Sequence, residues 1–248
     1  MNVIFKTIVG SKLYNLHTDS SDTDIKGIFQ PPLENIVPSI ETTLGIKPFT
    51  KMERVETVTG DGKDKVESTF YSAKYFTEMM IKSNPTVVEM IFADKEYIEA
   101  TESGLELIKF IRENLVTQHI YTSYMGYFKD QIRGFDKKTG KCREKRQKLI
   151  DEFGLDTKMS SHAYRIAVQG VTLFSTGSFN PTMQGSQRQL AMDIKLGKVS
   201  REDFLKILSQ VNEDLTASIR NSPLPKEPNV DKVHDFILNF NKRHYGLT

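Results

Sequence analysis

Two aspartates one residue apart, Asp22 and Asp24, follow a Gly10-Ser11 turn that itself follows the apolar residues Val3, Ile4, Phe5, Ile8 and Val9. Residues i and i+2 of a strand share a face, so the spacing predicts that the two carboxylates stand side by side. Adjacent carboxylates repel, and a divalent cation is the usual means of keeping both ionised. The small-residue turn offers backbone N–H groups and the Ser11 hydroxyl to a phosphate. A cation beside a phosphate is the chemistry of phosphoryl or nucleotidyl transfer. Taken alone, an Asp-x-Asp also suits a solvated turn or a cap. Here the run into Ile25, Ile28 and Phe29 gives the segment a strand's character. Two cations need a third acid from a neighbouring strand, and Glu67, facing the same way as Thr69 on residues 65–71, is the candidate. Its alternative reading is a solvent-facing strand glutamate. Asp61 and Asp64 are weaker rivals, because glycines beside them mark a turn.

A second cluster comprises Lys158, His162 and Arg165. His162 and Arg165 are i, i+3 neighbours on a helix expected over 161–176, with Lys158 just before it, so all three can face one site. They suit contact with a triphosphate or an acceptor, His162 titrating near neutral pH; the alternative is a solvated helix start with a satisfied histidine. A third feature is a basic run, Lys137, Lys138, Lys141, Arg143, Lys145, Arg146 and Lys148 against Glu144 alone, with Tyr121, Tyr124, Tyr127 and Phe128 upstream. This suits a nucleic-acid backbone and stacked bases, or else a solvated loop beside core aromatics. His119, His162 and His234 lack partners at zinc-ligand spacing.

The string Gly10-Ser11-x-x-Tyr14-Asn15-Leu16, then Ser21-Asp22-x-Asp24-x-Lys26-Gly27, resembles the signature of the DNA-polymerase-β-like nucleotidyltransferase superfamily. Within it, the chain is most similar to the nucleotidyltransferases associated with RNA repair in bacteria and phages. The likeness continues through Glu67 into Tyr71-Ser72, Asn84-Pro85 followed by Glu89, and Lys158-x-x-x-His162-x-x-Arg165, covering residues 3–170. The resemblance implies that Gly10 and Ser11 hold a nucleoside triphosphate. It implies that Asp22, Asp24 and Glu67 are catalytic and bind two Mg2+ ions, with Mn2+ as a substitute. Lys26, Lys158, His162 and Arg165 become nucleotide-binding residues. Lys26 departs from the arginine of many relatives; a single ammonium meets phosphate without a bidentate fork.

The implied reaction moves a nucleoside monophosphate from a triphosphate to a hydroxyl, with pyrophosphate leaving. The acceptor is left open between an RNA or tRNA end, a protein side chain and a small molecule. A non-catalytic nucleotide sensor and an RNA-binding accessory protein are the rival readings, and the intact Asp22 and Asp24 speak against the sensor.

Strands are expected over 3–9, 23–29 and 65–71, a short helix over 11–16, and loops with short strands over 33–62, where Pro38, Pro48 and Gly60-Asp61-Gly62 interrupt any period. Ala73, Phe76, Met79 and Met80 form one helical stripe, and Asn84-Pro85 opens a helix burying Val87, Val88, Ile91 and Phe92. Further helices are expected over 101–114, 117–134, 161–176, 188–196, 200–220 and 230–244, with Ser200 and Asp203 as a capping pair and an extended proline link at 222–228. The expected fold is therefore α+β, a polymerase-β-like mixed sheet with flanking helices followed by a helical C-terminal region. The domains are expected at 1–98 (catalytic) and 99–248 (helical). The 248 residues carry a formal charge of +2, one cysteine (Cys142) and no apolar run of membrane-spanning length. Those features point to a reducing, cytoplasmic setting without a membrane; none selects an oligomeric state.

Overall fold

The computed structural model describes residues 1–35, 53–135 and 143–247. Strand β1 (Asn2–Val9) buries Ile4 and Phe5 in succession, a break in alternation that coincides with a register shift between Val3 and Phe5. It pairs antiparallel with β2 (Thr23–Gln30), which brings Val9 opposite Asp24. Strand β4 (Val66–Ser72) lies parallel to β2, with Asp24 opposite Glu67 and Lys26 opposite Thr69. On the far side of β4 runs β3 (Arg54–Thr59), antiparallel. A three-residue strand, β5 (Ile98–Ala100), closes the other edge against β1, giving the order β3-β4-β2-β1-β5. The sheet thus takes in residues beyond the boundary expected at 98; β5 is too short to leave a period in the sequence.

Two helices follow β4 directly. Ala73–Ile81 is capped by the Ser72 hydroxyl, which accepts from the Tyr75 N–H, and it buries Ala73, Phe76, Met79 and Met80. Pro85–Ile91 buries Val87, Val88, Met90 and Ile91, with Glu89 among them. Glu102–Asn114 is capped by Thr101. The expected mixed sheet with flanking helices and a helical C-terminal region is what the chain forms.

At the centre of the helical region lies Thr157–Thr176, contacted by Ile120–Phe135, Gly185–Lys195 and Arg201–Ser218. It is buried on nearly every side, as a helix surrounded by others must be. Gly170 allows Leu215 and Tyr124 to pack close, since a Cβ there would press on both. The helix begins a turn earlier than expected because Asp156, not a residue near Ser161, caps it by accepting from the Met159 N–H at 3.0 Å. Lys158 therefore lies on the helix and not before it. Gly177, at φ 80°, ends it.

Part of the basic run is also helical: Arg143–Phe153 forms a helix that its charged sequence, with only Leu149, Ile150 and Phe153 apolar, did not announce. Arg146 stands 3.6 Å from the buried Asp156 carboxylate, so that cation serves a helix cap. Lys137, Lys138, Lys141 and Cys142 lie outside the described residues, as do Pro38 and Pro48. Three of the four nearby aromatics follow the core reading: Tyr124 and Phe128 are buried, and Tyr121 and Tyr124 meet Phe174 edge-on, whereas Tyr127 is only half-buried.

The proline link docks by accepting from the backbone N–H groups of Gln118 and His119 at Pro225 and Lys226. The last helix, Val230–Tyr245, then returns to the sheet side, stacking Phe236 on Phe110 at 3.7 Å and donating from Tyr245 to the Pro31 carbonyl. Among the described residues, no helix is long and apolar enough to cross a membrane.

Candidate active site

The chain leaves β1 at Gly10 with φ 69°, a conformation L side chains rarely adopt, and a Cβ there would overlap the Asp24 carboxylate. Glycine is thus required twice, by backbone and by neighbour. The Gly10–Leu13 turn closes through Tyr14 N–H to Gly10 O and Leu16 N–H to Ser11 O, and Asn15 takes a left-handed φ of 57°. The helical region clamps the end of this turn. Thr182 donates to Leu13 O, the Met183 N–H to Tyr14 O, and Arg188 to Asn15 O. Gly10 reaches the cleft wall, and Ser11 is half-buried on the same turn.

Beside this turn, Asp24, Lys26, Glu67, Thr69, Arg54 and Glu56 line one side of a cleft of about 360 Å³. Strand pairing explains the grouping, since Asp24 is opposite Glu67, Lys26 opposite Thr69, and Thr69 opposite Glu56. Burial pushes the Asp24 carboxyl above its ordinary range, and the charges of Asp22 and Glu67 push it further, against partial relief from Lys26 and Lys158. Asp22 precedes β2 and acts on Asp24 from beside the cleft. Lys158, exposed on its helix, reaches the same carboxylate through its field.

Glu67 forms an ion pair with Lys65. Among the described residues, no three His, Cys, Asp or Glu side chains gather closely enough to enclose a metal ion. The donor set nevertheless suits a hard divalent cation, since it is all carboxylate and crowded with like charge. Burial lowers the Lys26 pKa, while Glu89 and Asp24 pull it up.

The opposite wall comes from the helices. Arg165, 1% exposed, donates from Nη1 to Glu89 Oε1 at 2.5 Å and to Gln169 Oε1 at 2.5 Å, and its guanidinium carbon lies 3.6 Å from the centre of the Tyr14 ring. The Tyr14 hydroxyl donates to the other Glu89 oxygen. Burial alone would lower the Arg165 pKa; the Glu89 charge and hydrogen bond more than offset it, so the guanidinium stays charged. Arg165 lines the cleft with most of its donors already engaged.

His162 departs from the expectation that it titrates near neutral pH. Burial, then the charges of Arg165 and Lys158, hold its pKa well below the usual 6.5. Its Nδ1 lies 3.0 Å from Arg165 Nη2 and its Nε2 2.9 Å from the Tyr127 hydroxyl. It is a neutral, fixed ring.

Of the residues singled out from sequence, Gly10, Asp24, Lys26, Glu67, His162 and Arg165 share this cleft. Sequence reasoning assigned no role to Arg54, Glu56 or Thr69, placed Tyr14 only in the signature string, and read Tyr127 as a base-stacking or core aromatic. Glu89 entered only as part of a pattern. Its signal was available: an acid between Val88 and Met90 on an apolar face needs a buried partner.

The five-stranded mixed sheet with a glycine turn and facing acids defines a polymerase-β-like nucleotidyltransferase fold. The chain belongs to the RNA repair pathway DNA polymerase beta family, RlaP, which it matches over residues 1–238. It is 28% identical over 142 residues to an uncharacterised 38.9 kDa protein from the nrdC–mobD intergenic region of Enterobacteria phage T4. That stretch is 56% of this chain and 40% of the phage protein, so the chain spans less than half of that relative's length. Among solved structures it is similar to a nucleotidyltransferase-like protein from Exiguobacterium sibiricum 255-15, at 12% identity and a TM-score of 0.31, over 88% of this chain and 69% of that one.

Proposed function

We propose that the chain is a divalent-cation-dependent nucleotidyltransferase that moves a nucleoside monophosphate from a nucleoside triphosphate to a hydroxyl, releasing pyrophosphate. The observation that carries this reading is the register of Asp24 with Glu67 on parallel strands, both in the cleft that Gly10 borders. Asp22, Asp24 and Glu67 are the residues that would hold Mg2+, or Mn2+ in its place. Cations held there would lower the pKa of an attacking hydroxyl and offset charge on the leaving pyrophosphate.

The chain's own contribution is positional. Strand pairing keeps the carboxylates rigid, and the Gly10-Ser11 turn brings backbone N–H groups to the phosphates. Lys26 and Lys158 supply positive charge near the acids, and Arg165 fixes a charged, unyielding wall with His162 beside it. Such positioning and electrostatics supply most of the acceleration in phosphoryl-group chemistry.

In this reading residues 1–98 bear the chemistry and 99–248 cover the cleft, in a cytoplasmic protein. The acceptor is the hydroxyl end of an RNA, tRNA included, a choice favoured by membership in an RNA repair pathway family over a protein or a small molecule.

The Lys65–Glu67 ion pair favours one rival, a nucleotide sensor in which an ammonium occupies the place of a cation and no transfer follows. The two part in a single experiment. Full-length protein with Mg2+, cellular RNA and a triphosphate labelled at the α or the γ position should pass only the α label to RNA, and Asp22→Asn and Asp24→Asn should abolish transfer. Nucleotide binding with no transfer under any of these conditions would establish the sensor instead.

A further inference from the structure

We infer that the Tyr127 hydroxyl is a dedicated hydrogen-bond donor to the nucleotide's phosphate chain, set in that role by a one-way relay from Arg165 through His162. This rests on the proposed nucleotide site and adds to it a binding residue, Tyr127, and a positioning residue, His162.

The direction of the relay is set by what each group can do. A guanidinium donates and never accepts, so the 3.0 Å contact from Arg165 Nη2 obliges His162 Nδ1 to present its lone pair. The ring proton of a neutral histidine must then sit on Nε2, and the 2.9 Å contact with Tyr127 is donated by His162. Tyr127 accepts there, which leaves its own hydroxyl proton for another acceptor. Among the described residues the hydroxyl meets no second partner, and Tyr127 lines the cleft. Glu89 anchors the far end by accepting from Arg165 at 2.5 Å, and an edge-on contact between the Tyr127 and His162 rings, planes 88° apart, fixes their mutual angle.

The groups' acidities agree with this direction. His162 is held neutral, and burial with the Glu89 charge raises the Tyr127 pKa, so the hydroxyl keeps its proton. The cleft is lined by Lys26, Arg54 and Arg165 together with Asp24, Glu56, Glu67 and Glu89, with Arg54 paired to Glu56 and Arg165 to Glu89, so the phosphate class of the acceptor follows from the proposed nucleotide site and its bound cations rather than from the lining charge alone.

The test is calorimetric titration of the full-length protein, in Mg2+, with inorganic tripolyphosphate, a non-hydrolysable α,β-methylene triphosphate and the matching nucleoside. Tyr127→Phe should weaken the first two about tenfold or more, as loss of a hydrogen bond to a charged group does, and leave the nucleoside unchanged. His162→Leu should give the same loss. His162→Gln, whose amide can accept from Arg165 and donate to Tyr127, should retain most of the affinity; the His162 pair decides the matter if Tyr127→Phe does not fold. Unchanged tripolyphosphate affinity in both Tyr127→Phe and His162→Leu overturns the inference. A loss confined to the nucleoside overturns the phosphate assignment. A wild-type protein that binds neither triphosphate nor tripolyphosphate overturns the nucleotide site itself, a result distinct from the other two.

Discussion

Asp24 and Glu67 stand side by side in the parallel pairing of β2 with β4 and line one cleft. Burial and two like charges hold the Asp24 carboxyl above its usual range. Folding alone does not favour such crowding. Strained electrostatics of this kind are what functional sites retain at the expense of stability.

That expense gives a first expectation. Because the folded pKa of Asp24 is raised above the ordinary 3.8, its ionised form costs stability, and the cost grows as pH rises through the folded value. Asp24→Asn should therefore melt at the same or a higher temperature than wild type at pH 7 while transfer falls by roughly 100-fold or more. Thermal denaturation beside the labelled-RNA assay reads both. A large loss of stability would assign Asp24 a structural role instead.

Gly10→Ala should do the opposite to stability. The left-handed backbone costs an alanine about 1–2 kcal/mol, and the overlap with the Asp24 carboxylate adds to it. Chemical denaturation should show the loss, with part of it recovered in the Gly10→Ala, Asp24→Gly double variant, where the obstructing carboxylate is gone.

The buried Arg165–Glu89 pair should behave as a unit. Removing either charge alone, by Arg165→Met or Glu89→Leu, should cost about 3–5 kcal/mol because the partner is left uncompensated, and the double variant should recover much of that. Arg165→Lys should not restore wild-type stability, since one ammonium cannot serve Glu89, Gln169 and His162 together. A double-mutant cycle on unfolding free energies measures the coupling; simple additivity would contradict the geometry.

His162 sets a pH window. Its folded pKa lies well below 6.5, so the unfolded chain takes up a proton there that the folded chain refuses. Stability should fall as pH drops below about 6.5, by at most about 1.4 kcal/mol per pH unit from this group. The slope attributable to His162 should vanish in His162→Gln. Denaturation curves from pH 7.5 to 5 show whether it does.

Much of the acidic wall was legible in the sequence. The Gly10-Ser11 turn, the Asp22/Asp24 spacing and the alternation that turns Glu67 toward Thr69 are local patterns, and strand geometry carries Gly10, Asp24 and Glu67 into one cleft with Asp22 beside it, just ahead of β2. The helical wall was legible only in part. Lys158, His162 and Arg165 announced a cluster, but the partners that decide its behaviour lie far along the chain: Tyr14 and Glu89 on Arg165, and Tyr127 on His162. A neutral histidine in place of a titrating one is a consequence of burial beside a guanidinium, which spacing does not encode. The three-residue β5 and the charged Arg143–Phe153 helix were hidden for the other reason, having too little apolar periodicity to register.

The most direct test of the central claim is Mn2+ binding followed by electron paramagnetic resonance, in the presence of a non-hydrolysable triphosphate. Wild-type protein should bind Mn2+ tightly only with the nucleotide present, and Asp22→Asn, Asp24→Asn and Glu67→Gln should each reduce the bound ion while the protein stays folded. Mn2+ binding that is equal in wild type and in all three variants would contradict the claim that these carboxylates form the metal-holding wall of a nucleotidyltransferase site.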